Sequence, residues 1–215
     1  MIGVTEATVD EGVRLAPHET AEGRGFTEPA RTARDLAAVR EMLRGVHRVL
    51  SVAGPAAGPR ALVAEGREAD GRGHRTIVCN AERLRDGRTV AWVGFFATKR
   101  RDVDAAPLHA VDDELIQEFS AHPGILSYSS LEIGGGDWGN LILADGDAAR
   151  EHWRTSERHA HAARELAPRH YTDVRLHLGV LSSGVRAGDA PILRTTKYYD
   201  YRDGVTWRGE REWPA

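Results

Sequence analysis

Apolar residues recur at helical spacing in one segment near the start of the chain. Steps of three and four residues separate Leu36, Val39, Leu43, Val46 and Leu50. Positions with that spacing lie on one face of an α-helix. Thr32 opens the pattern and Gly54-Pro55 closes it, because glycine and proline interrupt helices. The sequence therefore predicts a helix between these points, preceded by an arm over residues 1–30.

Beyond residue 59 the period of the apolar positions shortens to two, which is typical of β-strands. Strands are predicted over residues 60–67, 75–83, 89–100, 125–133, 138–144, 171–181 and 192–201. Helices are predicted over residues 112–119 and from residue 145 or 147 to about residue 166, with Pro168 beyond the end. Asp86-Gly87 predicts a tight hairpin turn between two of the strands.

The order of elements after residue 89 indicates the fold. It runs strand, helix, strand, strand, helix, strand, with one further strand, which is the ferredoxin-like split βαβ arrangement in an α+β domain. We therefore predict an arm over residues 1–30, a helix plus β extension over residues 31–88 packed on the core, and a ferredoxin-like domain over residues 89–215. Helices cover one face of such a sheet, and the other face has to meet solvent, a second sheet or a partner's sheet.

Composition removes several classes of function. The 215 residues carry a net charge of −3, whereas a nucleic-acid-binding protein is expected to have a basic surplus on one face. The single cysteine, Cys79, excludes a disulfide framework and a cysteine-based zinc site. The sequence has no apolar run of about 18 residues, and residues 1–10 lack the basic and apolar parts of a signal peptide. We expect a cytoplasmic protein that binds neither nucleic acid nor membrane.

Residues 171–181 form the most informative segment. Side chains alternate between the two faces of a strand, so one face receives Val174, Leu176, Leu178 and Val180, and we expect these to point to the helices. The other face receives Asp173, Arg175, His177 and Gly179. Large aromatic residues on neighbouring strands favour a covered surface, which is typical of a ligand pocket.

Arg175 and His177 are the predicted catalytic pair. Two residues apart on a strand, they lie about 7 Å from each other. Arginine can hold a carboxylate, phenolate or enolate, and histidine can accept a proton from a phenol or an acidic carbon. We expect His177 to act as the acid/base and Arg175 as the anion clamp. The alternative is a surface ion pair between Asp173 and Arg175 beside a solvated histidine.

A second group of residues carries a family resemblance. The strand Asp137-Trp138-Gly139-Asn140 leads into a helix with His152-Trp153-Arg154-Thr155-Ser156 and then His159-Ala160-His161. With the element order over residues 89–201, this stretch resembles the dimeric α+β barrel superfamily, particularly its antibiotic-biosynthesis-monooxygenase-like members. The long part before residue 85 departs from the small members of that superfamily.

The resemblance implies a homodimer whose two sheets pack face to face, with a pocket for a small molecule. Members include cofactor-independent oxygenases of polyketide-like aromatic compounds, cyclases, haem-binding proteins and simple binders. We expect Trp138, Asn140, Tyr198 and Trp153 to contact the substrate. No metal site is predicted.

Three hypotheses follow. The first is an enzyme, a monooxygenase or cyclase acting without a cofactor on an aromatic or polyketide-like substrate in a barrel pocket. The second is a haem protein with His159 or His152 as the axial ligand. The residues of their helix that face the sheet form one stripe, and both histidines lie beside that stripe on the same flank. The alternative is that the two histidines only lie at the edge of the core. The third is a non-enzymatic ligand-binding or dimerisation module.

Overall fold

The computed structural model describes residues 12–53, 61–104, 106, 107, 114, 118, 122, 124–154, 156–185 and 190–214, except for the side chains of residues 152–154. Its strands are β1 (Val13–Leu15), β2 (Leu62–Arg67), β3 (Gly73–Val78), β4 (Val90–Lys99), β5 (Ile125–Gly134), β6 (Asp137–Ala144), β7 (Tyr171–Leu181), β8 (Ile192–Asp200) and β9 (Trp207–Glu212). Its helices are α1 (Pro29–Ala53), α2 (Ala81–Arg85), α3 (Asp147–Arg154), α4 (Glu157–His161) and α5 (Ala167–His170), and a π-helical turn over Ala162–Leu166 joins α4 to α5.

The strands form one sheet in the order β1-β9-β8-β7-β4-β6-β5-β3-β2. Neighbouring strands run antiparallel, except that β1 pairs with β9 in parallel. The predicted class, mixed α and β, is confirmed. Strands from the predicted arm, extension and C-terminal domain all belong to this sheet, and the division of the chain into three parts stays a prediction.

Helix α1 covers one face of the sheet, which we call the α1 face. Val39 and Val46 of the helix are fully buried there, as the helical spacing of the apolar residues predicts. Their cluster includes the sheet residues Trp92, Phe96, Leu131, Leu141, Leu143 and Leu181. Large apolar side chains on both sides make this face the main core of the protein.

Glycines make room for the large rings of the α1 face. A Cβ atom on Gly179 would lie 2.5 Å from the ring of Trp92 and 2.1 Å from the carbonyl oxygen of Ile192. A Cβ atom on Gly139 would lie 2.5 Å from the ring of Phe96. Both rings are fully buried, so the absence of a side chain opposite them is a packing requirement.

We call the opposite side of the sheet the open face. Its central side chains on β4, β6 and β7 are Val93, Phe95, Asn140, Ile142, Leu176 and Leu178, and each is only partly buried. The C-terminal helices lie on this side. Phe95 and Leu176 pack against the cluster that includes Ala167 of α5, and Ala149 of α3 packs against the same buried cluster as Ile142. Among the described residues, no helix is both long and apolar enough to cross a membrane.

Two predicted local features are wrong. No hairpin forms at Asp86-Gly87, because Asn80 accepts a hydrogen bond from the backbone N–H of Arg83 at 2.9 Å and caps the short helix α2. Strand β3 consequently pairs with β2 and β5 rather than with β4.

The helix predicted to end near Leu166 continues to His170. Helix α5 follows directly on the π-helical turn, and Pro168 is its second residue. A missing backbone N–H is tolerated in the first turn of a helix. Of the helix predicted over residues 112–119, only Glu114 and Glu118 lie in the described part of the chain, and both are helical.

Replacing Gly179 tests the packing of the α1 face. The change Gly179→Ala should lower the free energy of unfolding by about 1–3 kcal/mol, because the new methyl group overlaps Trp92 and the backbone at Ile192. Urea denaturation measures this loss. Gly25→Ala is the control, since its nearest neighbour is a flexible carboxylate oxygen at 3.5 Å; equal losses in both variants would contradict the packing argument.

Candidate functional site

The predicted catalytic pair belongs to a buried polar cluster that includes a carboxylate from α1. Arg175 donates from Nε to Asp35 Oδ2 at 2.7 Å and from Nη1 to Asp173 Oδ1 at 2.8 Å. His177 Nε2 lies 2.9 Å from the same Asp35 oxygen, and its Nδ1 lies 3.0 Å from Thr196 Oγ1. We call these residues the Asp35 cluster.

The environment determines the charge state of the cluster. Burial lowers the pKa of His177 below its ordinary value of 6.5, against the attraction of Asp35. Burial acts to raise the pKa of Asp35, but hydrogen bonds and attraction from His177 and Arg175 outweigh it and hold that pKa below 3.8. The imidazole is therefore neutral and the carboxylate ionised.

The hydrogen of the neutral imidazole is assigned by its neighbours. An ionised carboxylate can only accept, so His177 carries its hydrogen on Nε2 and donates to Asp35. Its Nδ1 then accepts from the hydroxyl of Thr196, whose oxygen in turn accepts from Trp213 Nε1 at 2.9 Å. Both ring nitrogens are thus engaged by the protein itself.

The sequence predicts that Arg175 and His177 are enclosed, and in the structure both are buried: Arg175 is 3% exposed and His177 is 0% exposed. The enclosed space is occupied by Asp35 of α1, in the position that a substrate anion would take in the predicted mechanism. The alternative prediction was a surface ion pair between Asp173 and Arg175. The two residues do form an ion pair, but it is not at the surface, because Asp173 is also buried. The catalytic roles of Arg175 and His177 stay predictions.

Asp35 is not among the site residues predicted from the sequence, although its position in the helical pattern of α1 indicates that it is buried. It lies one turn before Val39 on the same side of α1, and both are buried. An acid that continues the apolar stripe of a helix requires a buried partner. The alternation of side chains along β7 already places Arg175 on a polar face, as a candidate for that partner.

Of the predicted substrate residues whose side chains are described, Tyr198 alone lies with the catalytic pair. It stands opposite Arg175 in register, is fully buried, and accepts a hydrogen bond from Arg211 Nη1 at 2.8 Å. Burial raises the pKa of Tyr198. Arg211 is fully buried as well and also donates to the backbone carbonyl oxygens of Ala16 and Thr27, so this part of the network holds the N-terminal arm on β9.

Trp138 and Asn140 lie on the other side of the sheet. Asn140 pairs in register with Phe95, which pairs with Leu176, so all three point to the open face. Trp138 shares that face, two residues away on β6. The predicted site is therefore divided between the two faces.

The histidines of the haem hypothesis lie on α3 and α4. The backbone N–H of His159 donates to Ser156 Oγ at 3.1 Å, which caps α4, and the His159 side chain is partly buried. The side chains of His152 and Trp153 lie outside the described residues. Within the described part of the chain no group of three histidine, cysteine, aspartate or glutamate side chains is arranged to hold a metal ion.

Cross-strand register arranges the open face in rows. The first row runs Arg75, Ser130, Asn140, Phe95, Leu176 and Lys197. The second row runs Ile77, Tyr128, Ile142, Val93, Leu178 and Thr195. Partly buried apolar side chains thus alternate with a few polar groups across the middle of the sheet.

Two apolar clusters are described on the open face. One cluster gathers Ile77, Tyr128 and Ile142 under α3, and the other gathers Phe95 and Leu176 under α5. The side chains between these clusters are Val93, Asn140 and Leu178. Within the described part of the chain no side-chain hydrogen bond of Asn140 is found, and the residue is partly buried.

Comparisons with known proteins give remote likenesses. No family model and no curated protein matches the chain. Rv0793 from Mycobacterium tuberculosis is 24% identical, covering 46% of this chain and 99% of its own, with a TM-score of 0.37. SnoaB, a cofactor-independent oxygenase from Streptomyces nogalater, is 14% identical, covering 47% and 99%, with a TM-score of 0.36.

A monooxygenase-like protein from Lactobacillus acidophilus NCFM is 12% identical, covering 74% of this chain and 93% of its own, with a TM-score of 0.40. Likenesses at this level carry no functional argument, so function has to be inferred from the chemistry of the site.

Removing the central carboxylate tests the Asp35 cluster. Asp35→Ala should lower the free energy of unfolding by about 3–5 kcal/mol, because it leaves the buried Arg175 without its main partner. Urea denaturation measures the loss. The control is Glu212→Gln, which breaks an exposed pair with Arg14 and should change stability by less than about 0.5 kcal/mol. A small effect of Asp35→Ala would mean that the cluster does not hold α1 on the sheet.

Acidification should destabilise the protein through His177. Its pKa is lowered on folding, so below pH 6.5 the unfolded chain binds more protons than the folded one. The free energy of unfolding should then fall by up to about 1.4 kcal/mol per pH unit until the lowered pKa is reached. Asp35 adds a further loss below its ordinary pKa of 3.8.

Urea denaturation at several pH values measures this slope. His177→Gln should remove the part that begins at pH 6.5, whereas His18→Gln, at an exposed position, should leave the slope unchanged. The same slope in the wild type and in His177→Gln would contradict the assignment of a neutral buried imidazole.

Proposed function

We propose that this protein is an enzyme of the monooxygenase or cyclase class that binds a small aromatic, polyketide-like molecule against the open face. The observation that supports the proposal is the make-up of the open face, where the partly buried aliphatic side chains of Val93 and Leu178 share the face with the carboxamide of Asn140. A mostly apolar surface with a few placed polar groups is typical of a small-molecule site. We further propose that the central strands form a ferredoxin-like unit, which the order β7-β4-β6-β5 supports.

The chemistry proposed for the site needs no cofactor. A hydroxyanthrone loses a proton from its CH₂ group to water, and the negative charge spreads onto the carbonyl oxygen. Asn140 donates an N–H to that oxygen, which stabilises the anion. The carbanion adds dioxygen, regains the proton, and loses water to give the quinone carbonyl, so that one oxygen atom enters the product and the other leaves as water.

Val93 and Leu178, which lie between the two apolar clusters, form the apolar floor on which a planar ring system lies. Trp138, two residues from Asn140 along β6, stands at the edge of the floor. A cyclase would use the same floor and the same carboxamide to stabilise an enolate that attacks a carbonyl within the substrate. The two reactions differ in that only the oxygenase consumes dioxygen.

His177 and Arg175 act indirectly in this proposal. They hold α1 on the far side of the same strands, and their polar atoms are engaged by Asp35, Asp173 and Thr196. A rigid sheet keeps the alternate residues of β7 in place on the open face, and positioned groups are what catalysis by orientation requires.

A bulky side chain at Val93 tests the proposed function. Val93→Trp should reduce the affinity for dihydroxyanthraquinone by at least about tenfold, because the larger ring occupies the floor of the site. Isothermal titration calorimetry measures the affinity, and an oxygen electrode measures consumption of dioxygen with a hydroxyanthrone as substrate. The matched control is Val63→Trp, since Val63 shares the open face in register with Ile77 but is 59% exposed on the outer strand β2.

Both variants should fold, because neither position is fully buried. Unchanged affinity in Val93→Trp, or equal losses in the two variants, would rule out the open face as the site. Binding without oxygen consumption would leave the cyclase as the activity to test with linear polyketide-like substrates.

A further inference from the structure

The solvent side of helix α1 is basic. Successive residues of a helix are about 100° apart around its axis, so the exposed residues opposite the buried stripe of α1 form a stripe of their own. We call this stripe the α1 crest, and its residues are Ala33, Ala37, Arg40, Arg44, Arg48 and Ser51, all exposed. The crest carries three cations and no acid, although the whole chain has a net charge of −3.

The two acids of α1 do not neutralise the crest. Asp35 is buried in the cluster beneath the helix. Glu41 lies three residues before Arg44, a spacing that suits an ion pair, but its two carboxylate oxygens accept from Arg72 at 2.8 and 3.0 Å. Within the described part of the chain, Arg40 and Arg44 make no ion pair.

The row of arginines works against the helix that carries it. Arg40, Arg44 and Arg48 follow at intervals of four residues, and like charges at that spacing repel each other. Of the three, only Arg48 has a carboxylate partner among the described residues, Glu68 Oε1 at 2.7 Å, and its side chain is still 56% exposed. A local arrangement that opposes its own helix without a compensating contact is expected at a functional surface.

The spacing within the crest indicates the kind of partner. Neighbouring arginines of the row are about 6 Å apart along the helix axis, which is also the spacing of acidic residues one turn apart on another helix. Two such rows align when the helices cross at about 50°, which is the commonest packing class, and the small side chains of Ala33 and Ala37 allow a close approach. The fork of each guanidinium matches a carboxylate.

Other anionic partners fit the crest less well. The crest has no aromatic side chain on which a single-stranded nucleic acid stacks its bases. A polyanion wider than a helix would also meet Glu68, which lies beside Arg48. A membrane-binding helix inserts its apolar side into the lipid, whereas the apolar side of α1 is part of the core of the protein.

We propose that the α1 crest docks an acidic helix of a partner protein, in which carboxylates one turn apart pair with Arg40, Arg44 and Arg48. The crest lies on the outer side of α1, and the sheet separates it from the open face. The docking surface is therefore distinct from the site of the proposed function and does not depend on it.

Synthetic helices test the proposal. The probe is an alanine-rich peptide of about 20 residues, long enough to form a helix, with glutamate at every fourth position so that the carboxylates form one row. A second peptide has the same composition with its glutamates spread around the helix, and circular dichroism checks that both are helical. Fluorescence anisotropy at low salt should show that the wild-type protein binds the row peptide about tenfold more tightly than the spread peptide, and added salt should weaken the binding.

The double variant Arg40→Gln/Arg44→Gln should bind the row peptide about tenfold more weakly than the wild type, because it removes two of the three ion pairs. The matched control is Arg14→Gln/Arg158→Gln, which removes the same charge from side chains on β1 and α4 that are 84% and 55% exposed, and which should keep the affinity. All four positions are exposed, so both variants should fold. The urea midpoint of Arg40→Gln/Arg44→Gln should not fall, since the change relieves repulsion.

Each of the other results would overturn the proposal. If the row peptide does not bind, or if both peptides bind equally, the crest does not recognise a row of carboxylates. Equal losses in the two double variants would mean that net charge alone governs binding. A single-stranded oligothymidylate of similar length is measured in parallel, and tighter binding of this probe that is lost in Arg40→Gln/Arg44→Gln would make the crest a nucleic-acid surface instead.

Discussion

The rest of the structure depends on one buried ionic interaction, between Asp35 of α1 and Arg175 of β7. Burying two charges is unfavourable unless each finds a partner with good geometry. Here the carboxylate accepts from both the guanidinium and the imidazole of His177, at distances of 2.7 and 2.9 Å. An apolar helix can slide or rotate on an apolar sheet, but a carboxylate that has to meet two fixed donors can occupy only one position. The cluster therefore selects the register of α1 on the sheet.

The position of α1 on the sheet decides which face of the sheet is covered. Because α1 packs on the face of Trp92 and Phe96, the core is built there, and glycines opposite the rings complete it. On the other side, central residues of the same strands such as Val93, Leu176 and Leu178 remain only partly buried. The centre of β7 thus has its polar residues Arg175 and His177 in the core and its leucines, Leu176 and Leu178, at the more accessible surface, which is the reverse of an ordinary amphipathic strand.

Much of the architecture could be predicted because it is local. The bounds of β7 and the buried stripe of α1 follow from hydrophobic periodicity alone. The hairpin at Asp86-Gly87 failed because a side-chain cap from Asn80 stabilises a helical turn nearby. The extension of the last helix through Pro168 was missed because proline fits a helix start as well as a helix end.

The site was harder to predict because it depends on contacts between distant residues. Alternation correctly separated Arg175 and His177 from the aliphatic residues of β7, but it does not reveal what fills the space opposite them. The partner, Asp35, is 140 residues away from Arg175. The face on which Asn140 lies depends on the register between β4 and β6, since a slip of one residue would invert it.

The parallel pairing of β1 with β9 has a consequence for biosynthesis. Val13 meets Gly209 in that pair, and Arg211 donates to the carbonyl of Ala16 across 195 positions of sequence. During translation the early strand has no neighbour until almost the whole of this sequence has left the ribosome. An unpaired strand edge is open to unwanted association during that interval. Val13, which stays 47% exposed even in the folded protein, belongs to this late-pairing edge.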